Sequence, residues 1–316
     1  MRENLVLIVN PYAGVNQHNR NEPVYGKWRN IEEYVLETLG KKFEIDKNVT
    51  KFGKHSFKRI IEDKLTEYRD DKDTIYIFVG GDDTIDNYVT STIKTANSLS
   101  IDPDSLKVGC ILSGEGVALQ YALGLGDLRQ SLELIVNHKE NHAHIDMIDF
   151  NGDRYGFYAG HGIFGEAVGE REKTRTSGVK GYIIPAFKAY SSNLIRRIIS
   201  KSKKIIRYKN NSAEETIEDY GMGVLISKIR CIGGGIELVP QAKLNDGKLH
   251  IISYDSWFST RTWAAEEIRI ETDGHVHYGG DYQGKKDISF SVIRGAVDII
   301  LNKPELERTG ALIPTN

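Results

Sequence analysis

Along the first 140 or so residues, unbroken apolar runs alternate with apolar stripes at helical spacing. The run LVLIVN, Leu5 to Asn10, stops at Pro11 and Gly14 and has the continuous character of a strand buried on both faces. Trp28, Ile31, Val35 and Leu39 then recur with helical period, and Gly40 follows as a C-cap. Phe57, Ile60, Ile61, Leu65 and Tyr68 make a second stripe ahead of IYIFVGGDDTIDNYV, Ile75 to Val89. There a β-branched and aromatic run ends in two glycines, two acids and a threonine, the pattern of a strand entering a phosphate-type turn. A helix is expected to start within TIDNYVTSTIKTA, with LKVGCIL as a further strand and GVALQYALGLG as a further helix. This alternation predicts an α/β domain with a parallel sheet over residues 1–140. Ligands of such sheets sit at the carboxyl ends of the strands, where Asn10, the GGDDT turn and Gly114 fall.

Beyond residue 141 the pattern changes to short strand-like runs separated by Gly, Asn and Asp turns: HIDMIDF, RYGFYAG, YGMGVLI, KLHIISY, EIRIET, ISFSVI and AVDIIL. A helical insert is expected over Gly178 to Lys201. These runs predict a mainly antiparallel β-sandwich or barrel-like domain over residues 141–302. A tail of residues 303–316 is expected to return to the first domain. At 316 residues the chain exceeds the size at which a single core stops growing, which agrees with two domains.

Composition narrows the function classes. A net charge of −2 gives no field that would draw nucleic acid to the whole surface. Cys110 and Cys231 are too few for a disulfide framework, lack zinc-site spacing, and are expected to be buried thiols. The apolar run in MRENLVLIVNPYAG is too short for a signal peptide core or a membrane span, so a cytoplasmic protein is expected. His138, His142, His144 and Asp146 have crowded metal-like spacing but read better as a solvated linker. Seven of the fifteen residues from Ile195 to Lys209 are basic. Arg196 to Lys209 is either a peripheral membrane contact attracted to anionic lipid or the solvated side of an amphipathic segment.

The order of motifs resembles the diacylglycerol kinase catalytic family of bacterial lipid kinases and sphingosine kinases, with NAD kinases and phosphofructokinases as more distant relatives. NPYAG (Asn10 to Gly14) is similar to the family's NPxSG, TKFGKHS (Thr50 to Ser56) to its TxxxGHA, and GGDDT (Gly80 to Thr84) to its GGDGT. ILSGEGVALQYALGL keeps step with IPxGTGNDFARxLGL, and GGGIELVPQAKLNDGKLHI (Gly233 to Ile251) with GGGxxxxPxAxxxDGxL. The resemblance implies phosphoryl transfer from ATP to a lipid or other hydroxyl acceptor with Mg²⁺, in a cleft between two domains. Asn10, Gly14, Thr50, Gly80, Gly81, Asp83, Thr84, Gly114, Glu115 and Gly116 would then contact nucleotide, with Asp82 catalytic. Asp246 and Leu249 would hold a structural Mg²⁺, although Asp246 with Gly247 also reads as a plain Asp-Gly turn. Homodimerisation is implied on the same ground.

The chain departs from the pattern in one predicted pocket. Asp83 replaces a glycine, Glu115 a threonine and Val117 an asparagine. Near the C-terminus GGDYQGKKDISFSVIRGAVDIIL puts Gly279 at the expected general-base aspartate and Asp281 at the adjacent glutamate. His161, in FYAGHGIFGEAV, is a candidate substitute base. A carboxylate 4 Å from a phosphate oxygen is repulsive by about 1 kcal/mol in water and about 4 kcal/mol at intermediate dielectric. Asp83 and Glu115 therefore leave three readings open. The site is a lipid-type kinase with an additional Mg²⁺ on Asp82, Asp83 and Glu115, or a kinase with a non-ATP donor such as pyrophosphate. Otherwise the fold binds a lipid, nucleotide or partner without turnover. For Asp83 alone, an acid capping the following helix is the structural alternative.

Overall fold

The computed structural model describes residues 2–13, 28–51, 56–113, 118–174, 204–210, 213–219, 221–232, 235–256, 259–271 and 274–314. The expected helical insert over 178–201 lies outside them. Contacts divide the chain into two compact units, Met1–Ile145 with Gly295–Asn316, and Asp146–Arg294.

The first unit begins β1 (Glu3–Val9), α1 (Trp28–Gly40), β2 (Phe43–Val49), α2 (Ser56–Glu67), β3 (Ile75–Gly80), α3 (Asp82–Ser98) and β4 (Lys107–Leu112). Two shorter helices follow, α4 (Ala118–Ala122) and α5 (Leu128–Val136), the latter opened by a capping box between Asp127 and Gln130. Strands run in the order β2, β1, β3, β4, every neighbouring pair parallel. Parallel strands need cover on both faces, which explains why Leu5 to Val9 is buried without alternation. One face packs Leu5, Leu7, Val9, Ile75, Ile77 and Val79 against Trp28, Val35 and Leu39 of α1 and Leu132 and Ile135 of α5. On the other, Phe78 meets Tyr88 of α3 edge-on at 5.4 Å.

The chain continues through β5 (His142–Phe150), β6 (Arg154–Gly156), β7 (Tyr158–Gly162) and α6 (Ile163–Thr174). Then come β8 (Lys204–Asn210), β9 (Ala213–Asp219), β10 (Gly223–Ser227), β11 (Cys231–Ile232), β12 (Ile236–Glu237), β13 (Leu249–Ser256), β14 (Ser259–Ala265) and β15 (Glu267–Glu271). The last elements are β16 (His275–Tyr278), β17 (Asp281–Lys285), β18 (Ile288–Ile300) and α7 (Lys303–Arg308).

In the second unit β14, β13, β10, β7, β16 and β17 form a six-stranded antiparallel sheet. A second antiparallel ladder joins β9, β8, β15 and the first part of β18. Their facing residues share one core that includes Phe150, Val224, Ile251, Ile268, Val276 and Phe290, as a sandwich requires. Phe150 stacks on Tyr278 at 4.6 Å and meets Phe290 edge-on at 5.6 Å. The expected classes, an α/β unit with a parallel sheet and a mainly antiparallel sandwich, are those observed.

Several local readings need correction. ISFSVI and AVDIIL are one strand, β18, carried through Gly295 at a φ of +56°. Its last part pairs with β4 in parallel, Asp298 opposite Lys107 and Ile299 opposite Val108. The histidine-rich segment is no linker. His138 is buried behind α5, whereas His142 lies on β5 with its Nδ1 2.8 Å from Asp298 Oδ1. Cys110 is buried, but Cys231 is only half-buried. No helix among the described residues is long and apolar enough to cross a membrane.

Truncating the aromatic centre of the sandwich tests this packing. Phe150→Ala is expected to destabilise the second unit by about 3–5 kcal/mol. Faster hydrogen exchange should be confined to β5, β16 and β18 and leave β1 and β3 protected.

Candidate functional site

The GGDDT segment contains no loop. Gly80 is the last residue of β3, Gly81 is the N-cap of α3, and Asp82, Asp83 and Thr84 are the helix's first three residues. A side chain at Gly80 would place Cβ 2.5 Å from Thr84 Cγ2, so the glycine is what lets the helix leave the strand this tightly. The cap has no side-chain hydrogen bond, and both acids sit in the first turn. They favour the positive helix end, each by about 0.3–1 kcal/mol. Asp83 is therefore a first-turn acid and not the N-cap residue, and it is exposed to solvent.

Neighbouring strand ends are bonded to this junction. Asn10, just past β1, donates its backbone N–H to Val79 O at 2.9 Å and its side-chain amide to Thr84 Oγ1 at 3.0 Å. Its own Oδ1 accepts the N–H of Tyr12 at 3.1 Å. Thr50, buried past β2, bonds Val9 O through both its N–H and its hydroxyl, and receives the Tyr88 hydroxyl at 3.3 Å. Asp82 is buried, and its Oδ2 accepts the N–H of Ala118, the first residue of α4, at 3.1 Å. Asn10, Thr50, Gly80, Gly81, Asp82, Asp83 and Thr84 thus gather at the carboxyl edge of the parallel sheet. Burial pushes the Cys110 thiol up to about 12, and the Asp82 carboxylate adds to the shift. Gly14, Gly114, Glu115, Gly116 and Val117 lie outside the described residues.

In the second unit, Gly279 and Gly280 form the two-residue link between β16 and β17, with φ of +55° and +92°. Positive φ at both positions is the type I′ hairpin requirement, which gives a backbone reason for glycine where an aspartate was expected. Asp281 accepts from Arg154 Nη1 at 3.0 Å.

His161 shares a register row with Val224 and Val276. It is 1% exposed, and neither ring nitrogen has a hydrogen bond. Burial, then nearby Lys204 and His275, holds its pKa down to about 3, and burial alone does the same to His277. A neutral imidazole packed among valines is a poor replacement for a solvent-reachable base.

Asp246 precedes Gly247, whose φ is +71°. Its Oδ1 accepts from Lys228 Nζ at 2.7 Å and from the N–H of Lys248 at 3.1 Å, and its Oδ2 lies 2.8 Å from His250 Nε2. Burial opposes ionisation, but the His250 hydrogen bond and the Lys228 ammonium outweigh it and hold the carboxyl well below the usual range. Leu249 opens β13 with its side chain in the sandwich core. Both oxygens that would face Mg²⁺ are committed to protein donors, so the implied metal does not fit here. No group of three or more His, Cys, Asp and Glu side chains among the described residues could hold a metal ion.

The basic segment is described only from Lys204. Lys204 is buried with Nζ 3.5 Å from Asp219, Arg207 pairs with Glu271 at 2.8 Å, and Lys209 lies 3.6 Å from Glu267. These cations are matched by acids on adjacent strands. Sequence reasoning missed Lys228 altogether, since a lysine after an apolar strand has no spacing that marks burial.

The chain has the diacylglycerol kinase fold. A diacylglycerol kinase from Bacillus anthracis str. Sterne superposes on it with a TM-score of 0.65 and 18% identity, over 96% of this chain and 98% of its own. Two further structures from that organism, provisionally named diacylglycerol kinases, give 0.66 at 20% and 19% identity with the same coverage. No family model and no curated protein sequence matches the chain, so the likeness is one of fold.

His161 supplies a pH test. The folded imidazole near 3 lies below the unfolded value of about 6.5. The unfolded chain therefore binds more protons in this window, and stability is full above about 6.5 and falls as pH drops toward 3. His161→Leu should flatten that fall and raise stability at neutral pH by about 1 kcal/mol by removing unpaired buried nitrogens. Urea unfolding across a pH series reads both effects.

Proposed function

We propose that this protein is a lipid kinase-like phosphotransferase that moves a phosphoryl group from ATP to a lipid or other hydroxyl acceptor with Mg²⁺. In this reading the first unit handles the nucleotide and the second the acceptor. The observation that carries it is the diacylglycerol kinase fold along 96% of the chain, with buried Asp82 at the end of a central parallel strand. Asp82 also accepts the N–H of Ala118, so it ties the GGDDT junction to the start of α4. Asn10 fixes Thr84 and with it the register of the first helical turn.

Two carboxylates at this helix end would repel a phosphate unless a cation intervenes. Asp82 and Asp83 offer hard oxygen donors of the kind Mg²⁺ takes together with phosphate oxygens. When bound, the ion supplies neutralisation of phosphate charge. The chain's own part is positioning: glycines that admit close backbone approach, a helix end that orients the donor, and hydroxyl and amide groups held in place by hydrogen bonds. A loose phosphoryl-transfer transition state makes little demand on a base. That suits a chain with glycine at 279, an ion-paired Asp281 and a buried, neutral His161.

The exposed Asp83 favours one further reading, a donor smaller than ATP such as pyrophosphate, because pyrophosphate-dependent phosphofructokinases resemble this stretch through a GGDDT turn, whose second aspartate would crowd a nucleotide.

Radiolabelled ATP and pyrophosphate, each with Mg²⁺, are the donors to assay against diacylglycerol, a sphingoid base, a polyprenol and a soluble alcohol. Transfer from ATP is expected, with Asp82→Ala lowering kcat by about 10²-fold or more. Asp83→Asn should tighten ATP binding by about fivefold or more, the factor that corresponds to about 1 kcal/mol of relieved repulsion. Transfer from pyrophosphate alone would establish the smaller donor. A thermal midpoint unmoved by either donor with Mg²⁺, together with no turnover, would overturn the phosphotransferase reading and leave a binding protein.

A further inference from the structure

Lys228 follows β10 and is completely buried. Its ammonium lies 2.9 Å from Asp146 Oδ2, 2.7 Å from Asp246 Oδ1 and 2.7 Å from Lys248 O. An ammonium has three N–H bonds, and here each has an oxygen at charge-assisted distance. The oxygens come from β5, from the Asp246–Gly247 turn and from the residue before β13. The same turn is drawn onto Asp146 a second time, because the N–H of Gly247 donates to Asp146 Oδ2 at 2.7 Å. Lys228 is itself anchored through its backbone N–H, which donates to Phe157 O at 2.8 Å.

Two carboxylates and a backbone carbonyl around one positive centre are the ligand types that enclose a hard divalent cation. We propose that the Lys228 ammonium is a built-in cation that takes the place of a metal ion at the Asp246 turn. It joins three segments of the second unit and makes the fold of that unit independent of divalent metal there. The same oxygens form a latent divalent cation site that opens when the ammonium is removed. The proposal does not depend on the phosphotransferase reading, since every residue in it lies in the second unit and no nucleotide is involved.

The test is metal rescue in the full chain without nucleotide. Lys228→Ala is expected to lower the thermal midpoint of the second unit sharply, by leaving the buried Asp146 and the half-buried Asp246 carboxylates without their shared cation. Millimolar Ca²⁺ should then raise that midpoint by about 5 °C. Mg²⁺ should do less, because the contacts of 2.7–2.9 Å need less contraction to reach Ca²⁺ distances than the shorter Mg²⁺ ones. Wild type should gain less from either ion than Lys228→Ala does, and Lys228→Ala/Asp246→Asn should lose the extra gain. If Lys228→Ala does not fold alone, recovery of folded protein on refolding with and without Ca²⁺ gives the same comparison. Equal gains in wild type and Lys228→Ala would overturn the proposal. So would a gain retained by the double variant, or no gain in folded Lys228→Ala.

Discussion

The close approach of Gly80 to Thr84 is the constraint on which the candidate site depends. A strand that enters a helix without a loop fixes the helix end by backbone geometry. One Cβ at Gly80 would force the first turn away from the strand and take Asp82 and Thr84 with it. The Asn10 amide, the Thr50 hydroxyl and the Ala118 N–H then report one rigid edge, not separate motifs. A site held this way can tolerate acids in its first turn, because the helix dipole stabilises them whatever ligand binds.

The parallel unit was legible where burial leaves a pattern. The run at Leu5 to Val9 and the stripe from Trp28 to Leu39 are each written in hydrophobic periodicity. An edge strand has no such mark: FEIDKNV of β2 has one fully buried residue and polar groups throughout. Helix α5 announces itself through Asp127 and Gln130, a capping box open to reading but overlooked. In β18, Gly295 reads locally as a break, whereas pairing on both sides of it carries the strand through.

Legibility of the site divides in the same way. GGDDT marks its own position because glycines and acids at a strand end are rare company. Tertiary partners are what the sequence conceals. Asp246 reads equally as metal ligand and as turn residue until Lys228 is seen on its carboxylate. Gly279 reads as a lost catalytic group until the two positive φ values show that the hairpin itself calls for glycine. Departures from a family pattern therefore mix altered chemistry with plain backbone economy, and only the geometry separates them.

The division of the chain also orders events during its synthesis. The second unit is a contiguous stretch, Asp146–Arg294, and leaves the ribosome whole while the first still lacks Gly295–Asn316. Until those residues emerge, β4 is paired with β3 on one side only and lacks β18 on the other, and Ile300 is missing from the core beneath α1 and α5. The nascent first unit thus carries an open β edge for the time needed to translate the whole of the second. The part made first is completed last, so its unpaired β4 edge stays open to pairing with other chains throughout that interval.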